Sequence, residues 1–239
     1  MEELLDIYKQ PYDVNRPVIC MDESSKQLMK EVRESLPMMP KQVENIVSIP
    51  IEHVDEQQSL MPEQAQANPP KPGQVEKYDT EYESNGTASV FMAFEPLQGL
   101  RFTSVGEQRT RKDWAGFIKG LVDNEYPDVD KIILVMDNLN THHKCSLYEA
   151  FEPCEAKRIA DRLEIHYTPK HGSWLNMAEI ELSHLNRQCL DRRIGEQCIM
   201  AAEVDAWTKT RNEKKVVANW RFTTADARIK LRNLYPTIL

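Results

Sequence analysis

The sequence predicts a mixed α/β domain, and three observations carry that prediction. Two short apolar runs, Val18-Ile19-Cys20-Met21 and Ile132-Ile133-Leu134-Val135-Met136, each end in an aspartate, Asp22 and Asp137. The second is apolar at every position, as a central strand covered by helices on both faces should be. Two β-prone runs, 88–95 and 100–106, flank Pro96-Leu97-Gln98-Gly99 and read as a hairpin with a four-residue turn. Trp114, Phe117, Ile118 and Leu121 recur at helical spacing, with Thr110 placed to cap the helix they define, running to about Asn124.

Taken in order, residues 16–23 read as a buried strand behind Pro17, and 24–36 as a short polar connection with some helical character. Seven of the fourteen prolines then fall between Pro37 and Pro72, among many Gln and Glu. Such a composition buries too little apolar surface to order itself, so a long, partly disordered loop is expected, with 46–51 its most apolar stretch. Ordered structure resumes at Thr87 with the hairpin and the capped helix. Residues 130–137 form the second buried strand. Helices follow at about 142–150 and 153–162, then a short strand, 163–167, closed by Pro169. Ser173 is placed to cap a helix reaching about Asp191, and 199–233 reads as two helices broken near Trp220–Thr224.

A chain of 239 residues suggests one domain, or one domain with an appendage. No run of eighteen apolar residues exists, which argues against a transmembrane helix. The acidic start Met-Glu-Glu-Leu-Leu-Asp-Ile has no signal-peptide pattern. The five cysteines are an odd number, scattered, with no C-x-x-C pair, and read as reduced cytosolic thiols, mostly small core residues. Cys145 and Cys154 near His142 and His143 lack a second ligand pair at zinc-finger spacing. The net charge of -8 is unevenly spread: residues 184–239 carry +5, leaving -13 on 1–183. An acidic body with a basic tail suits a nuclease, whose metal needs carboxylates and whose phosphates need cations. A solvated helical surface gives the same pattern, so charge does not choose.

Strand parity puts Asp22 on the face of Val18 and Cys20, and Asp137 on the face of Ile133 and Val135. An ionised carboxylate at the end of an apolar strand is costly unless something pairs with it. Taken alone, each aspartate also reads as a turn starter. On the helix after Ser173, Leu175, Ala178, Leu182, Leu185 and Cys189 make one apolar stripe. Glu179 and Glu181 flank that stripe on opposite sides, and periodicity does not separate them. The loop 169–176 sets Lys170, His171 and a helix start together, which suits phosphate contact. With Trp174 as a core plug it is equally a tight structural loop.

Met136-Asp137-Asn138-Leu139-Asn140-Thr141-His142, followed by the stretch from His166 to Glu179, closely resembles the catalytic domain of bacterial insertion-sequence transposases related to the mariner group. Cys20-Met21-Asp22-Glu23-Ser24 looks like that family's first-aspartate strand, and the stretch Trp220 to Leu231 resembles its C-terminal signature. The resemblance covers nearly the whole chain outside about 38–70. It implies an α/β fold of the RNase H-like (ribonuclease H-like/integrase) type, a mixed central sheet flanked by helices. It makes residues 1–195 the catalytic domain, with a Pro-rich insertion at about 37–76, and 196–239 a basic helical extension of the same domain.

It further implies Asp22, Asp137 and Glu179 as catalytic and metal-binding residues, preferring Glu179 to Glu181. Two Mg²⁺ or Mn²⁺ ions would serve phosphoryl transfer in strand cleavage and strand transfer. His142, Lys170, His171, Arg192, Arg193, Lys214 and Lys215 are candidate contacts to double-stranded DNA, at transposon ends and target. The expected setting is a homodimer in the bacterial cytoplasm, associated with the nucleoid and not with membrane. The spacing of forty-one residues between Asp137 and Glu179 is somewhat long for the group. Members normally carry helix-turn-helix domains ahead of the first catalytic strand. This sequence starts about twenty residues before that strand. Three expectations follow: one product of a split frame, a truncated copy, or a domain that works with a separate DNA-binding partner. Alternatives are another RNase H-like nuclease acting on junctions or hybrids, and an inactive remnant that binds DNA or dimerises.

Overall fold

The computed structural model describes residues 1–32, 81–170 and 172–235, the side chain of Leu234 excepted. The expected insertion at 37–76, the stretch 46–51 and the candidate contact His171 lie outside the described residues. Met1–Lys30 and Ser84–Leu239 form one compact unit, so both C-terminal helices belong with the sheet. Glu31–Glu83 cluster as a second unit, of which only the strand ends and their neighbours are described.

A five-stranded mixed sheet forms the centre, in the order β3-β2-β1-β4-β5. β2 (Tyr82–Glu95) and β3 (Leu100–Gly106) are the expected antiparallel hairpin. β1 (Val18–Glu31), β4 (Ile132–Met136) and β5 (Leu163–Tyr167) pair in parallel. Each parallel step is crossed by helices, as such connections require. α2 (Arg111–Gly120), α3 (Lys144–Ala150) and α4 (Pro153–Asp161) pack on one face, over Ile19, Met21, Phe91, Leu134 and Met136. α1 (Glu2–Tyr8), α5 (Met177–Leu185) and α7 (Thr224–Lys230) contribute to the other face, over Cys20, Ile133 and Val135. α6 (Gln197–Glu213) covers the hairpin, with Met200 and Val204 against Val90 and Met92. Period-2 alternation thus sends Ile19 and Met21 one way and Cys20 the other.

Thr110 caps α2 as expected, in a capping box with Asp113. Three expectations need correction. Residues 24–31, expected as a polar connection, continue β1, and β2 begins at Tyr82 instead of near Thr87. Ser173 does not cap a helix: it opens a 3₁₀ turn, Ser173–Leu175, and Asn176 caps α5 by accepting from Ala178 N at 3.1 Å. The thiols are mostly not core residues, since Cys145, Cys154 and Cys198 are exposed and only Cys20 is buried. Among the described residues no helix is long and apolar enough to cross a membrane.

The β2–β3 turn closes at Gly99, with φ +66° and its N–H donating to Glu95 O at 2.9 Å. A Cβ there would lie 2.9 Å from backbone carbons of both Lys215 and Val216. Gly99→Ala is expected to cost about 1–3 kcal/mol, from the left-handed backbone and the clash together. The measurement is the urea midpoint of the variant. An unchanged midpoint would mean that the 214–218 segment moves aside freely.

Candidate functional site

The two aspartates meet because their strands are parallel neighbours. Val18 stands opposite Ile133, Ile19 opposite Leu134 and Cys20 opposite Val135. Two further steps of that register set Asp22 level with Asp137. Both follow residues that face α5 (Cys20 and Val135), as strand parity anticipated.

The third carboxylate is delivered by a clamp that the sequence reading missed. Asn176, 1% exposed, donates through Nδ2 to Met21 O at 2.8 Å while its Oδ1 caps α5. The helix start is thereby tied to the residue before Asp22, and Glu179 falls in the first turn. Tyr8 adds a second tie, donating to Leu175 O at 2.7 Å. Gly172 makes the preceding loop tight: its N–H donates to Pro169 O at 2.8 Å, and a Cβ would meet the Pro169 ring at 2.6 Å.

Asp22 feels both of the other carboxylates. Burial pushes the Asp22 carboxyl up to about 7, and the charges of Glu23, Asp137 and Glu179 add to that push against a hydrogen bond from Glu23 N. Asp137 is one-third exposed, and its Oδ1 lies 2.6 Å from His142 Nδ1. Among the described residues no three His, Cys, Asp or Glu side chains stand close enough together to hold a metal ion as they are placed. Asp22, Asp137 and Glu179 are thus neighbours without forming a ready coordination set. Their donors are all carboxylate oxygens, the ligand type that hard divalent cations take.

Glu179 and Glu181, which periodicity left undecided, have different fates. Glu179 is half-buried in the first turn of α5. Glu181 points the other way, 3% exposed, and accepts from Arg101 Nε at 2.8 Å and from Arg211 Nε at 2.6 Å and Nη2 at 3.0 Å. It is committed to an ion-pair network.

Of the candidate phosphate contacts, His142 is corrected. It is fully buried between Asp137 and Glu23 and presents nothing to a duplex. Lys170 is exposed and lines an open groove of about 390 Å³ with Asp137, Asn138, Thr168 and Ser173. A larger groove, about 540 Å³, lies against α6 and includes none of the three carboxylates. Arg192 is half-exposed and pairs with Glu203, while Lys214 and Lys215 are exposed past the end of α6. Lys214 follows Glu203, the partner of Arg192, by eleven residues, about 16 Å of helical rise.

A family model described as DDE superfamily endonuclease matches residues 51–198, a span holding Asp137 and Glu179 but not Asp22. The Mos1 mariner paired end complex with Mn is similar to this chain at 16% identity and a TM-score of 0.50, over 90% of this chain and 54% of that one. The Mos1 strand transfer complex matches at 15% identity and a TM-score of 0.46, over 90% and 53%. The chain thus spans about half the length of these solved structures. The likeness places the sheet and its helices in the RNase H-like fold. No curated protein matches the chain.

Proposed function

From its membership of the DDE superfamily of endonucleases, to which this chain belongs, we propose that it is the catalytic domain of a DNA transposase. The observation that carries this reading is the level placement of Asp22 in β1 and Asp137 just past the end of the parallel neighbour β4, with the helix that carries Glu179 tied to β1 by the Asn176 clamp. In this reading the three carboxylates hold Mg²⁺ or Mn²⁺, as a pair of ions. The fit rests on an all-oxygen donor set and on the burial that, with the neighbouring negative charges of Glu23, Asp137 and Glu179, holds Asp22 up to about 7. A divalent ion bound there supplies Lewis-acid assistance to phosphodiester cleavage and strand transfer.

The chain's own groups do the positioning. Asn176 and Tyr8 fix the helix that carries Glu179, and Lys170 contacts a phosphate in the groove beside Asp137. The substrate is double-stranded DNA, at transposon ends and then at a target. Arg192, Arg193, Lys214 and Lys215 make backbone contacts. A homodimer and a separate DNA-binding chain complete the assembly in this reading.

Metal binding tests the site without DNA. At about 100 times its Kd a ligand of the native state stabilises by about 2.7 kcal/mol. For a domain of this size that is about 5–10 °C in melting temperature. Mg²⁺ or Mn²⁺ at millimolar concentration is expected to raise wild type on that scale and Asp137→Asn far less. An equal rise in both would place the metal elsewhere.

A further inference from the structure

Two residues outside the acidic triad are built into its support. Glu23 follows Asp22 in β1, so its side chain leaves the opposite face of the sheet. There its carboxylate is 2% exposed, and Oε2 lies 3.0 Å from His142 Nε2, an ion-pair distance at an angle short of a hydrogen bond. On its other edge the same ring holds Asp137 Oδ1, with Nδ1 at 2.6 Å. The ring is locked in place. It lies against Trp114 at 6.0 Å between centroids, His142 O accepts from Tyr167 OH at 2.8 Å, and His142 N donates to Leu139 O at 2.9 Å.

A histidine that merely filled the core here would not need a buried glutamate, whose desolvation is costly. The imidazole is held between two carboxylates, hydrogen-bonded to Asp137 at Nδ1 and facing Glu23 at Nε2, and burial shields both contacts from water. Both hydrogen bonds that Asp137 accepts fall on Oδ1, from His142 and, at 3.4 Å, from Leu139 N. Oδ2 accepts none among the described residues.

We propose that Glu23 and His142 form a positioning relay that links β1 to the end of β4 and fixes the Asp137 carboxylate, Oδ1 on the imidazole and Oδ2 turned to the divalent ion. The inference rests on the reading of Asp22, Asp137 and Glu179 as the metal site. Neither relay residue touches substrate. Each acts through Asp137, in the way that outer partners orient metal ligands and set metal affinity.

The experiment is Mn²⁺ titration by calorimetry on the whole chain without DNA, with a melting temperature for each variant. His142→Asn sets an amide nitrogen near the Nδ1 position, and His142→Gln sets one near Nε2. His142→Gln is expected to weaken Mn²⁺ binding about 10–100-fold, and His142→Asn, which keeps the Asp137 contact but loses the one to Glu23, about 3–10-fold. Glu23→Gln, which keeps the shape but loses the charge, is expected to weaken it to about the same extent as His142→Asn. Wild-type affinity in His142→Gln, with Asp137→Asn weakened, would overturn the relay and leave the triad standing. His142→Asn as weak as His142→Gln would overturn the Nδ1 contact as the orienting one. Wild-type affinity in Asp137→Asn would instead overturn the metal-site reading. Should His142→Gln fail to fold, Glu23→Gln decides, and wild-type affinity there overturns the relay.

Discussion

Glu181→Ala is expected to cost about 3–5 kcal/mol, the penalty for leaving a buried charge without its partner. Arg101 has no exposed side-chain surface, and Glu181 has 4%. The Arg101 guanidinium spends Nη1 on Gly99 O and Nη2 on Val216 O, each at 2.6 Å, and Nε on Glu181. It also lies over the Phe94 ring at 4.4 Å. One side chain thus joins the hairpin turn, the segment after α6 and helix α5, with Arg211 adding a second cation from α6. Removing the carboxylate strands Arg101 where water does not reach it. Against a typical stability of about 5–15 kcal/mol the loss is large.

The pH dependence of that loss follows from the same contacts. Burial pushes the Glu181 acid up, but hydrogen bonds and charge from Arg211 and Arg101 outweigh it and hold the acid below the usual carboxylate range. A depressed acid stabilises the fold above its unfolded pKa and loses that contribution as pH falls through its folded value. The deficit of Glu181→Ala is therefore expected to be full at pH 7 and to narrow below about pH 4, the ordinary glutamate range. Urea unfolding at both pH values measures it. A variant within about 1 kcal/mol of wild type at pH 7 would show that Arg101 finds water, contrary to the usual cost of an orphaned buried ion.

The same glutamate shows where sequence reading stops. The apolar stripe of α5 leaves Glu179 and Glu181 symmetric. What separates them is Arg101, eighty residues away, and no local pattern contains it. Asn176 is a similar case. Ser173 and Asn176 are both ordinary caps, and the choice is made by Met21 O, 155 residues away. The extent of β1 was hidden differently. Residues 24–31 are rich in helix-favouring Lys, Gln, Met and Glu, yet the long β2 strand beside them offers pairing and apolar cover. Leu28 buries with Ala88, Val90 and Met92, Ser25 Oγ lies 3.1 Å from Ser89 Oγ, and Lys26 donates to Leu190 O at 2.7 Å. Tertiary context overrode propensity. The segment 2–8 is too short for a periodic signal, though Leu4 and Leu5 bury fully enough to make it a helix. By contrast, the end of β4 at Asp137 was legible, because an unbroken apolar run has few other uses, whereas Asp22 lies inside β1 and not at its end. Glu23 carried one overlooked signal: consecutive acids within a strand must face opposite ways, so the second needs its own partner.

Alanine at Asp22, Asp137 or Glu179 is expected to remove metal-dependent cleavage while the fold survives. Metal assistance contributes several kcal/mol to a phosphoryl-transfer transition state. At 1.36 kcal/mol per decade, losing about 4 kcal/mol slows the reaction by about 10³-fold. Stability should move the other way at Asp22. Its folded pKa of about 7 stands above the ordinary aspartate value, so without metal the fold loses stability as pH rises from about 4 to about 7. At pH 8 that penalty is complete. Asp22→Asn keeps the shape and removes the charge, so it is expected to melt higher than wild type at pH 8 without metal, and with little difference at pH 4. The two readouts separate a catalytic group from a structural one. A structural aspartate would lose activity and stability together, whereas Asp22→Asn should lose the first and gain the second. Cleavage of an end-containing duplex with Mg²⁺ or Mn²⁺, beside melting curves at both pH values, makes the comparison. A variant that still cleaves at wild-type rate, or that melts lower at pH 8, would remove Asp22 from the site.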